Sequence, residues 1–214
     1  MSIKAVIFDM DGTLVDSADI ILGAFKHVLD SIGQPYDEAI VRTYIGRTLK
    51  DTYGSLSPEH DALDLINAHI AWQKENQHLL KQFAGVQELL TELKQRNIKL
   101  GLFTSTLRQR VERELNTLEL IRYFDAIICG DDISKPKPDK QGVVRTAELL
   151  GVKLSETVLV GDAEHDILSG KNAGVTTIAI THGFGTKEAL KKAGADYIVN
   201  NLKELFALIR KIGM

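Results

Sequence analysis

The segment KAVIFDMDGTLVDS, residues 4–17, joins an apolar run to several aspartates. Its first part, AVIF at 5–8, has the character of a buried strand. Asp9 and Asp11 follow at once, and in an extended chain residues two apart project to the same side. Gly12 permits a tight turn behind them. Two carboxylates at the point where a strand leaves the core indicate a binding or catalytic site, although a capped turn before a helix is an alternative.

Five further runs resemble the first strand. All six are short, apolar and nearly continuous rather than alternating, which is typical of strands buried on both faces of a parallel sheet. They are AVIF (5–8), IKLGLF (98–103), DAIIC (125–129), TVLV (157–160), TTIAI (176–180) and DYIV (196–199). Segments with helical periodicity, such as 85–96 and 138–150, separate most of them. This alternation predicts an α/β fold with a Rossmann-like parallel-sheet core.

The stretch between the first two predicted strands breaks the alternation. It holds no convincing strand, whereas 17–32 and about 59–80 carry apolar residues at helical spacing. A connection of this length exceeds an ordinary crossover between parallel strands. We therefore expect residues 16–82 to form an all-helical cap subdomain, inserted into a catalytic core made of residues 1–15 and 83–214.

The composition narrows the classes of protein that the chain can belong to. The 214 residues include 26 Lys plus Arg and 29 Asp plus Glu, for a formal charge of -3, and no basic stripe typical of a nucleic-acid binder is present. Cys129 is the single cysteine, which excludes an intramolecular disulfide. No signal peptide or membrane-length apolar segment is evident. We expect a cytoplasmic protein without nucleic-acid or membrane partners; no feature indicates its oligomeric state.

Polar side chains also follow three of the other predicted strands. They are Thr104, Ser105 and Thr106 after the second strand, Lys135 in SKPKPD (134–139) after the third, and Asp162 and Asp166 after the fourth. Each group alone could be a helix cap or a solvated loop. Because the carboxyl ends of parallel strands meet at one edge, where open α/β sheets bind ligands, the groups together predict a single site.

The carboxylates of this predicted site would repel one another at close range unless a cation lay between them. They are Asp9, Asp11, Asp162 and Asp166. Ligands that are all oxygen favour a hard ion such as Mg²⁺, which is usually shared with a phosphate. Lys135 would add a second positive charge, and Thr104 a neutral donor. A metal, a lysine, a hydroxyl and a carboxylate nucleophile together are typical of phosphoryl transfer.

Four motifs make the chain resemble the haloacid dehalogenase superfamily of phosphohydrolases over essentially its whole length. In the order of that family they are DMDGT (9–13), FTST (103–106), SKPKPD (134–139) and GDAEHD (161–166). The resemblance implies that Asp9 attacks phosphorus, while Asp11 protonates the leaving oxygen and later activates water. An acid two residues after the nucleophile also distinguishes a phosphatase from a dehalogenase.

The same resemblance assigns the remaining candidate site residues. It implies that Asp9, Asp162 and the backbone carbonyl of Asp11 hold Mg²⁺, with Asp166 assisting. Thr104 and Lys135 would hold the phosphoryl group, and Ser105 beside Thr104 is a further phosphate-binding candidate. The motif fixes no role for Lys137.

The helical insert resembles the small α-helical cap of family members that act on small phosphorylated metabolites. Such a lid screens substrates by size. Within YIGRTLKD (44–51), Gly46 allows a tight loop and Arg47 could reach a carboxylate or second phosphate of the substrate. A solvated surface arginine is the alternative for Arg47.

The C-terminal tail, residues 179–205, resembles that of phosphoglycolate phosphatases and the related small pyrophosphatases. The expected function is therefore hydrolysis of a small organic phosphate, with phosphoglycolate as the leading candidate and pyrophosphate as its rival. A β-phosphoglucomutase-type enzyme would share the core motifs. Two non-enzymatic alternatives are also open: a phospho-accepting receiver domain and a catalytically silent binding protein.

Overall fold

The computed structural model describes residues 2–213, in which strands and helices alternate along most of the chain. The strands are β1 (Ala5–Phe8), β2 (Val15–Asp16), β3 (Lys81–Gln82), β4 (Lys99–Phe103), β5 (Ala126–Ile128), β6 (Thr157–Gly161), β7 (Thr176–Ile180) and β8 (Tyr197–Val199). The α-helices are α1 (Ala18–Ser31), α2 (Glu38–Arg42), α3 (Leu49–Leu56), α4 (Ala62–Glu75), α5 (Val86–Gln95), α6 (Arg108–Thr117), α7 (Gln141–Leu150), α8 (Glu164–Ala173), α9 (Lys187–Lys192) and α10 (Leu202–Gly213).

The six predicted strands form one parallel sheet, which confirms the predicted α/β fold. Its strand order is β5-β4-β1-β6-β7-β8, and every neighbouring pair is parallel. The chain builds outward from β1 through β4 to β5, then returns to the other side of β1 and builds through β6 and β7 to β8. The order of the strands therefore reverses between β1 and β6.

Both faces of the sheet are covered by helices, as continuous apolar strands require. Val6 and Phe8 of β1 belong to a core cluster that includes Leu90 of α5 and Leu205 of α10. Its alternate residue Ile7 belongs to a second cluster on the side of α7 and α8. β1 is thus buried from both sides, and the residues that follow it are held in a fixed position.

Helix α7 begins later than the sequence pattern suggested. The predicted range of 138–150 placed Pro138 in the first turn, but the helix starts at Gln141. The Asp139 carboxylate accepts a hydrogen bond from the Gln141 N–H at 2.8 Å, which satisfies the first N–H of the helix. The end of the helix is as predicted, because Gly151 has a φ of 64° and stops it.

Helices α1 to α4 occupy the stretch between β1 and β4 that was expected to be helical. The predicted helix at 17–32 is α1, whereas the predicted helix at 59–80 is the shorter α4. The Asp61 side chain accepts hydrogen bonds from the N–H groups of Leu63 and Asp64, which starts α4 at Ala62. No helix within residues 2–213 is long and apolar enough to span a bilayer.

The expectation that this stretch contains no strand was wrong at its two ends. Strands β2 and β3 pair in antiparallel register, with Val15 opposite Gln82 and Asp16 opposite Lys81. Two residues are too few to show the alternation that identifies a strand in sequence. The pair joins the two ends of the helical stretch, while the division into a core and a cap at residues 16–82 stays a prediction.

Candidate active site

The strand-order reversal between β1 and β6 creates a crevice at the carboxyl ends of these two strands. Asp9 directly follows β1, and its N–H donates to the Val160 carbonyl of β6 at 2.9 Å. Asp162 directly follows β6. Both carboxylates therefore lie where the topology of an open α/β sheet favours ligand binding.

Three buried carboxylates converge in this crevice. One oxygen from each of Asp9, Asp162 and Asp166 lies within 4.8 Å of the others. Burial, with the charges of Asp166 and Asp162, raises the pKa of Asp9 well above its usual range. Burial and the charge of Asp166 also raise the pKa of Asp162 to about 7. A divalent cation would relieve this crowding, and three carboxylates are the hard oxygen ligands that Mg²⁺ prefers, so the residues fit the predicted metal.

Hydrogen bonds from two loops, one after β1 and one after β7, hold Asp162 in the cluster. Its Oδ1 accepts from the Thr13 hydroxyl at 2.9 Å, and its Oδ2 accepts from the Phe184 N–H at 2.7 Å. Gly12 permits this closeness, because a Cβ there would lie 2.3 Å from Oδ2 of Asp162, and its φ is 77°. The glycine of the DMDGT motif thus lets the loop after β1 approach the residue that follows β6.

The lysine beside the carboxylates is Lys137, whereas the predicted Lys135 lies outside the cluster, and its phosphate-binding role stays a prediction. The Lys137 Nζ donates to Oδ1 of Asp9 at 2.6 Å and to Oδ1 of Asp166 at 2.6 Å. Although burial opposes its charge, these two carboxylates raise the pKa of Lys137. Lys135 is exposed, and its backbone N–H donates to the Gln141 side chain at 2.8 Å, which fixes it in the outer part of the loop.

The Asp11 side chain points away from the three-carboxylate cluster. Its Oδ1 accepts from Nη2 of Arg110 at 2.7 Å, and its Oδ2 accepts from the Thr106 hydroxyl at 2.8 Å. Only the backbone carbonyl of Asp11 was expected to hold a metal, so this side-chain position leaves that prediction as it stands. The Asp11 carboxylate is thus held apart from the three-carboxylate cluster.

The hydroxyls after β4 have separate partners. Thr104 is buried, and its Oγ1 accepts from the Thr106 N–H at 3.1 Å. The Ser105 hydroxyl donates to the Gly46 carbonyl at 2.9 Å, so it joins the edge of the sheet to the helical insert. The phosphate-binding roles of Thr104 and Ser105 stay predictions, and in this conformation the hydroxyl of Ser105 is engaged with the insert.

A cavity of about 280 Å³ lies between the sheet edge and the helical insert. Its lining includes the predicted site residues Asp9, Asp11, Gly46, Arg47, Thr104, Ser105, Asp162 and Asp166, together with Lys137. Lys135 is outside this lining. The exposed Arg47 lies with its guanidinium 5.0 Å from the centre of the Tyr44 ring, at the insert side of the cavity.

Sequence reasoning missed Arg110, which holds Asp11. The guanidinium of Arg110 also donates through Nε to Glu114 at 2.7 Å, so the arginine lies between two carboxylates. Arg110 lies in the first turn of α6, which begins just after the FTST motif. This closeness to a predicted site motif indicated that the start of α6 lies at the site. The sequence does not show which residue of the helix turns toward Asp11.

Comparisons with known proteins agree with this fold. Residues 6–180 match the family model described as haloacid dehalogenase-like hydrolase. The chain is 36% identical over 216 residues to "Putative pyrophosphatase PpaX" of Clostridium perfringens (strain 13 / Type A), covering 98% of this chain and 99% of that protein.

Solved structures are similar over the same length. A hydrolase from Pseudomonas syringae superposes with a TM-score of 0.89 at 29% identity, covering 99% of this chain and 100% of the other. A "putative beta-phosphoglucomutase" from Thermotoga maritima superposes with a TM-score of 0.78 at 30% identity, with the same coverage of 99% and 100%. The similarity therefore includes the helical insert as well as the sheet.

Proposed function

The chain belongs to the haloacid dehalogenase-like hydrolase family, and we propose that it is an Mg²⁺-dependent phosphatase that hydrolyses a small phosphorylated metabolite through an aspartyl-phosphate on Asp9. The separation of the carboxylates carries this proposal. Asp9 lies with Asp162, Asp166 and Lys137, whereas the Asp11 side chain, two residues on, is held apart by Arg110. One carboxylate can therefore attack phosphorus while the other handles protons.

In the first step, an oxygen of Asp9 forms a bond to phosphorus and the bond from phosphorus to the ester oxygen breaks. Asp11 gives its proton to that leaving oxygen. In the second step, Asp11 takes a proton from water, whose oxygen attacks the phosphorus of the aspartyl-phosphate. Inorganic phosphate leaves, Asp9 is again a carboxylate, and Asp11 again carries its proton.

Lys137 and the other two carboxylates of the cluster prepare Asp9 for this attack. Lys137 engages Oδ1 of Asp9, which leaves Oδ2 as the attacking oxygen in this proposal. Asp9, Asp162 and Asp166 are the side chains that would hold Mg²⁺, with the backbone carbonyl of Asp11 as a further ligand. The bound ion would supply positive charge to the phosphoryl oxygens.

The helical insert, residues 16–82, serves in this proposal as a cap over the site. Its covalent links to the core run through the β2–β3 pair, and the bond from Ser105 to Gly46 fastens its other side. A closed cap excludes bulk water from the aspartyl-phosphate until the leaving group has departed. We retain Gly46 and Arg47 as proposed contacts of the leaving group.

Two substrate classes and one other reaction compete within this function. The tail of the sequence resembles those of phosphoglycolate phosphatases and small pyrophosphatases, with phosphoglycolate as the leading candidate, and the name of the Clostridium perfringens relative favours pyrophosphate. The Thermotoga maritima structure favours a mutase, which would return the phosphoryl group to a sugar instead of to water. The core residues serve all three, so the outcome depends on the residues around the leaving group.

The test is phosphate release from a panel of compounds with Mg²⁺ or with EDTA. The panel contains phosphoglycolate, pyrophosphate, sugar phosphates, nucleotides and phosphoserine. We expect release from at least one small organic phosphate with Mg²⁺ and its loss in EDTA, because the carboxylate cluster then lacks its cation. Release that EDTA leaves unchanged would contradict the metal site, and isomerisation that requires a sugar bisphosphate would identify the mutase.

Replacing Asp11 by asparagine tests the division of labour between the carboxylates. We expect Asp11→Asn to lower kcat by about 10²- to 10⁴-fold, because an amide can neither give nor take the proton. Mg²⁺ affinity, measured by titration calorimetry, should stay within about twofold of the original, because the side chain lies outside the cluster. The exposed Asp19→Asn on α1 is the matched control, and near-normal turnover in Asp11→Asn would refute the assigned role.

A further inference from the structure

The cavity has a second group of lining residues beyond the carboxylate cluster. They come from α1 and α4 of the insert and from α6 of the core, and they include Ile21, Phe25, Ile66, Ile70, Gln73 and Arg113. We call these six residues the leaving-group pocket. Four of them are apolar, and apolar walls gain free energy only from a ligand that has carbon to bury. A second inorganic phosphate offers none.

Buried polar groups in and beside this pocket lack hydrogen-bond partners. Gln73 is 2% exposed, and its Nε2 is buried with no partner among the described residues; the same holds for Nε of Arg113. An unpaired buried donor is unfavourable, so both groups call for oxygen acceptors. Gln73 lies on the insert and Arg113 on the core, and a ligand between them would satisfy donors from both sides.

The two arginines on the core side of the leaving-group pocket lie beside carboxylates, whereas Arg47 and Lys50 of the insert line the same cavity but are exposed to solvent. Arg110 pairs with Asp11 at 2.7 Å and with Glu114 at 2.7 Å, and Arg113 lies 3.6 Å from the same Glu114 oxygen. The two arginines thus face two carboxylates. His69, the neighbour of Gln73 one turn back on α4, adds no charge, because burial and the nearby Arg110 lower its pKa to about 3.

We propose that the leaving-group pocket selects an uncharged organic leaving group rich in oxygen acceptors, a polyol or a sugar, over a carboxylate or a second phosphate. This inference rests on the proposed phosphatase function and names the substrate class of the same site. It changes the order of the candidates, since phosphoglycolate and pyrophosphate both present an anion. Gln73 is the residue that determines this specificity, by donating to an oxygen of the leaving group.

A matched set of six-carbon phosphates tests the inference. Sorbitol 6-phosphate carries hydroxyls alone, 6-phosphogluconate adds a carboxylate, and hexyl phosphate has neither; pyrophosphate completes the set. We expect kcat/KM with Mg²⁺ to be at least about tenfold higher for sorbitol 6-phosphate than for each of the other three. A higher value for pyrophosphate or 6-phosphogluconate would overturn the inference while leaving the phosphatase in place.

The variant Gln73→Met tests whether Gln73 determines the preference for a leaving group that carries hydroxyls. It should lower kcat/KM for sorbitol 6-phosphate by about tenfold and keep kcat/KM for hexyl phosphate within about twofold of the original value. Methionine keeps the length of glutamine but cannot donate a hydrogen bond. The control is Asn67→Leu, which removes an exposed amide from the same helix. The melting temperature of Gln73→Met should not fall, because its amide nitrogen has no partner to lose.

Three results would overturn the proposal. An equal loss of kcat/KM for sorbitol 6-phosphate and hexyl phosphate would show that Gln73 does not bind the hydroxyls of the leaving group. A clear drop in the melting temperature would show that its amide is bonded within the protein. Absence of Mg²⁺-dependent phosphate release from every compound would overturn the proposed function itself, and this inference with it.

Discussion

Replacing Asp9 by asparagine should abolish phosphate release, with kcat falling by about 10⁴-fold or more. The neutral amide oxygen of asparagine is a far weaker nucleophile than a carboxylate, and no aspartyl-phosphate can form on it. The fold should persist. The introduced asparagine would have nearly the shape of the aspartate, and its neutral amide would relieve the repulsion from Asp162 and Asp166, which lie within 4.8 Å. Lys137 would lose the charge of Asp9 but keep its ion pair with Asp166.

The decisive measurement is acid quenching of a reaction with ³²P-labelled substrate. The original chain should yield protein-bound label that alkali removes, as an acyl phosphate requires, and Asp9→Asn should yield none. The exposed Asp64→Asn on α4 is the control, because it removes a carboxylate that lies outside the cavity lining. Label bound to Asp9→Asn, or turnover close to that of the original chain, would place the nucleophile elsewhere.

The sheet could be predicted because its strands are defined by local composition. Each of the six runs is continuous and apolar, and burial on both faces of the sheet is the physical cause of that pattern. The site followed from the same logic. The residue after a buried strand has its position fixed by the strand, so Asp9 and Asp162 had to lie near one another once β1 and β6 were neighbours.

The residues that the sequence could not place are those whose positions depend on contacts distant in sequence. In SKPKPD both lysines follow the same strand and stand beside prolines, and composition gives no reason to choose between them. The choice is made by Asp166, which is 29 positions from Lys137, and by Gln141, which holds the backbone of Lys135. The partner of Asp11 is likewise Arg110, 99 positions away.

The helical insert shows the same limit. Its long amphipathic helix α1 was evident from spacing, while α2, with five residues, and the two-residue strands β2 and β3 are too short to show a period. The bond from Ser105 to Gly46 spans 59 positions and depends on how the insert meets the sheet. Sequence therefore predicted what the insert is made of, and the structure is needed to see which of its residues face the site.

Methionine in place of Lys137 should lower kcat/KM by about 10²-fold or more, whereas Lys135→Met should change it by less than about twofold. Both variants remove one positive charge from the same loop, but only Lys137 lies 2.6 Å from Asp9 and from Asp166. Without it, the attacking carboxylate loses its hydrogen bond and the phosphoryl group loses a nearby cation. Comparing the two variants therefore separates the effect of the position of the lysine from the effect of losing one positive charge.

The same pair should differ in stability. The side chains of Lys137 and Asp166 are each 3% exposed, and removing one partner from a buried ion pair costs about 3–5 kcal/mol. Urea unfolding in EDTA should show this loss for Lys137→Met and no more than about 0.5 kcal/mol for the exposed Lys135→Met. Equal effects of the two substitutions on kcat/KM, or a larger effect at Lys135, would return the phosphate-binding role to Lys135. Such a result would also mean that the loop changes conformation when substrate binds, away from the one in which Lys137 pairs with the carboxylates.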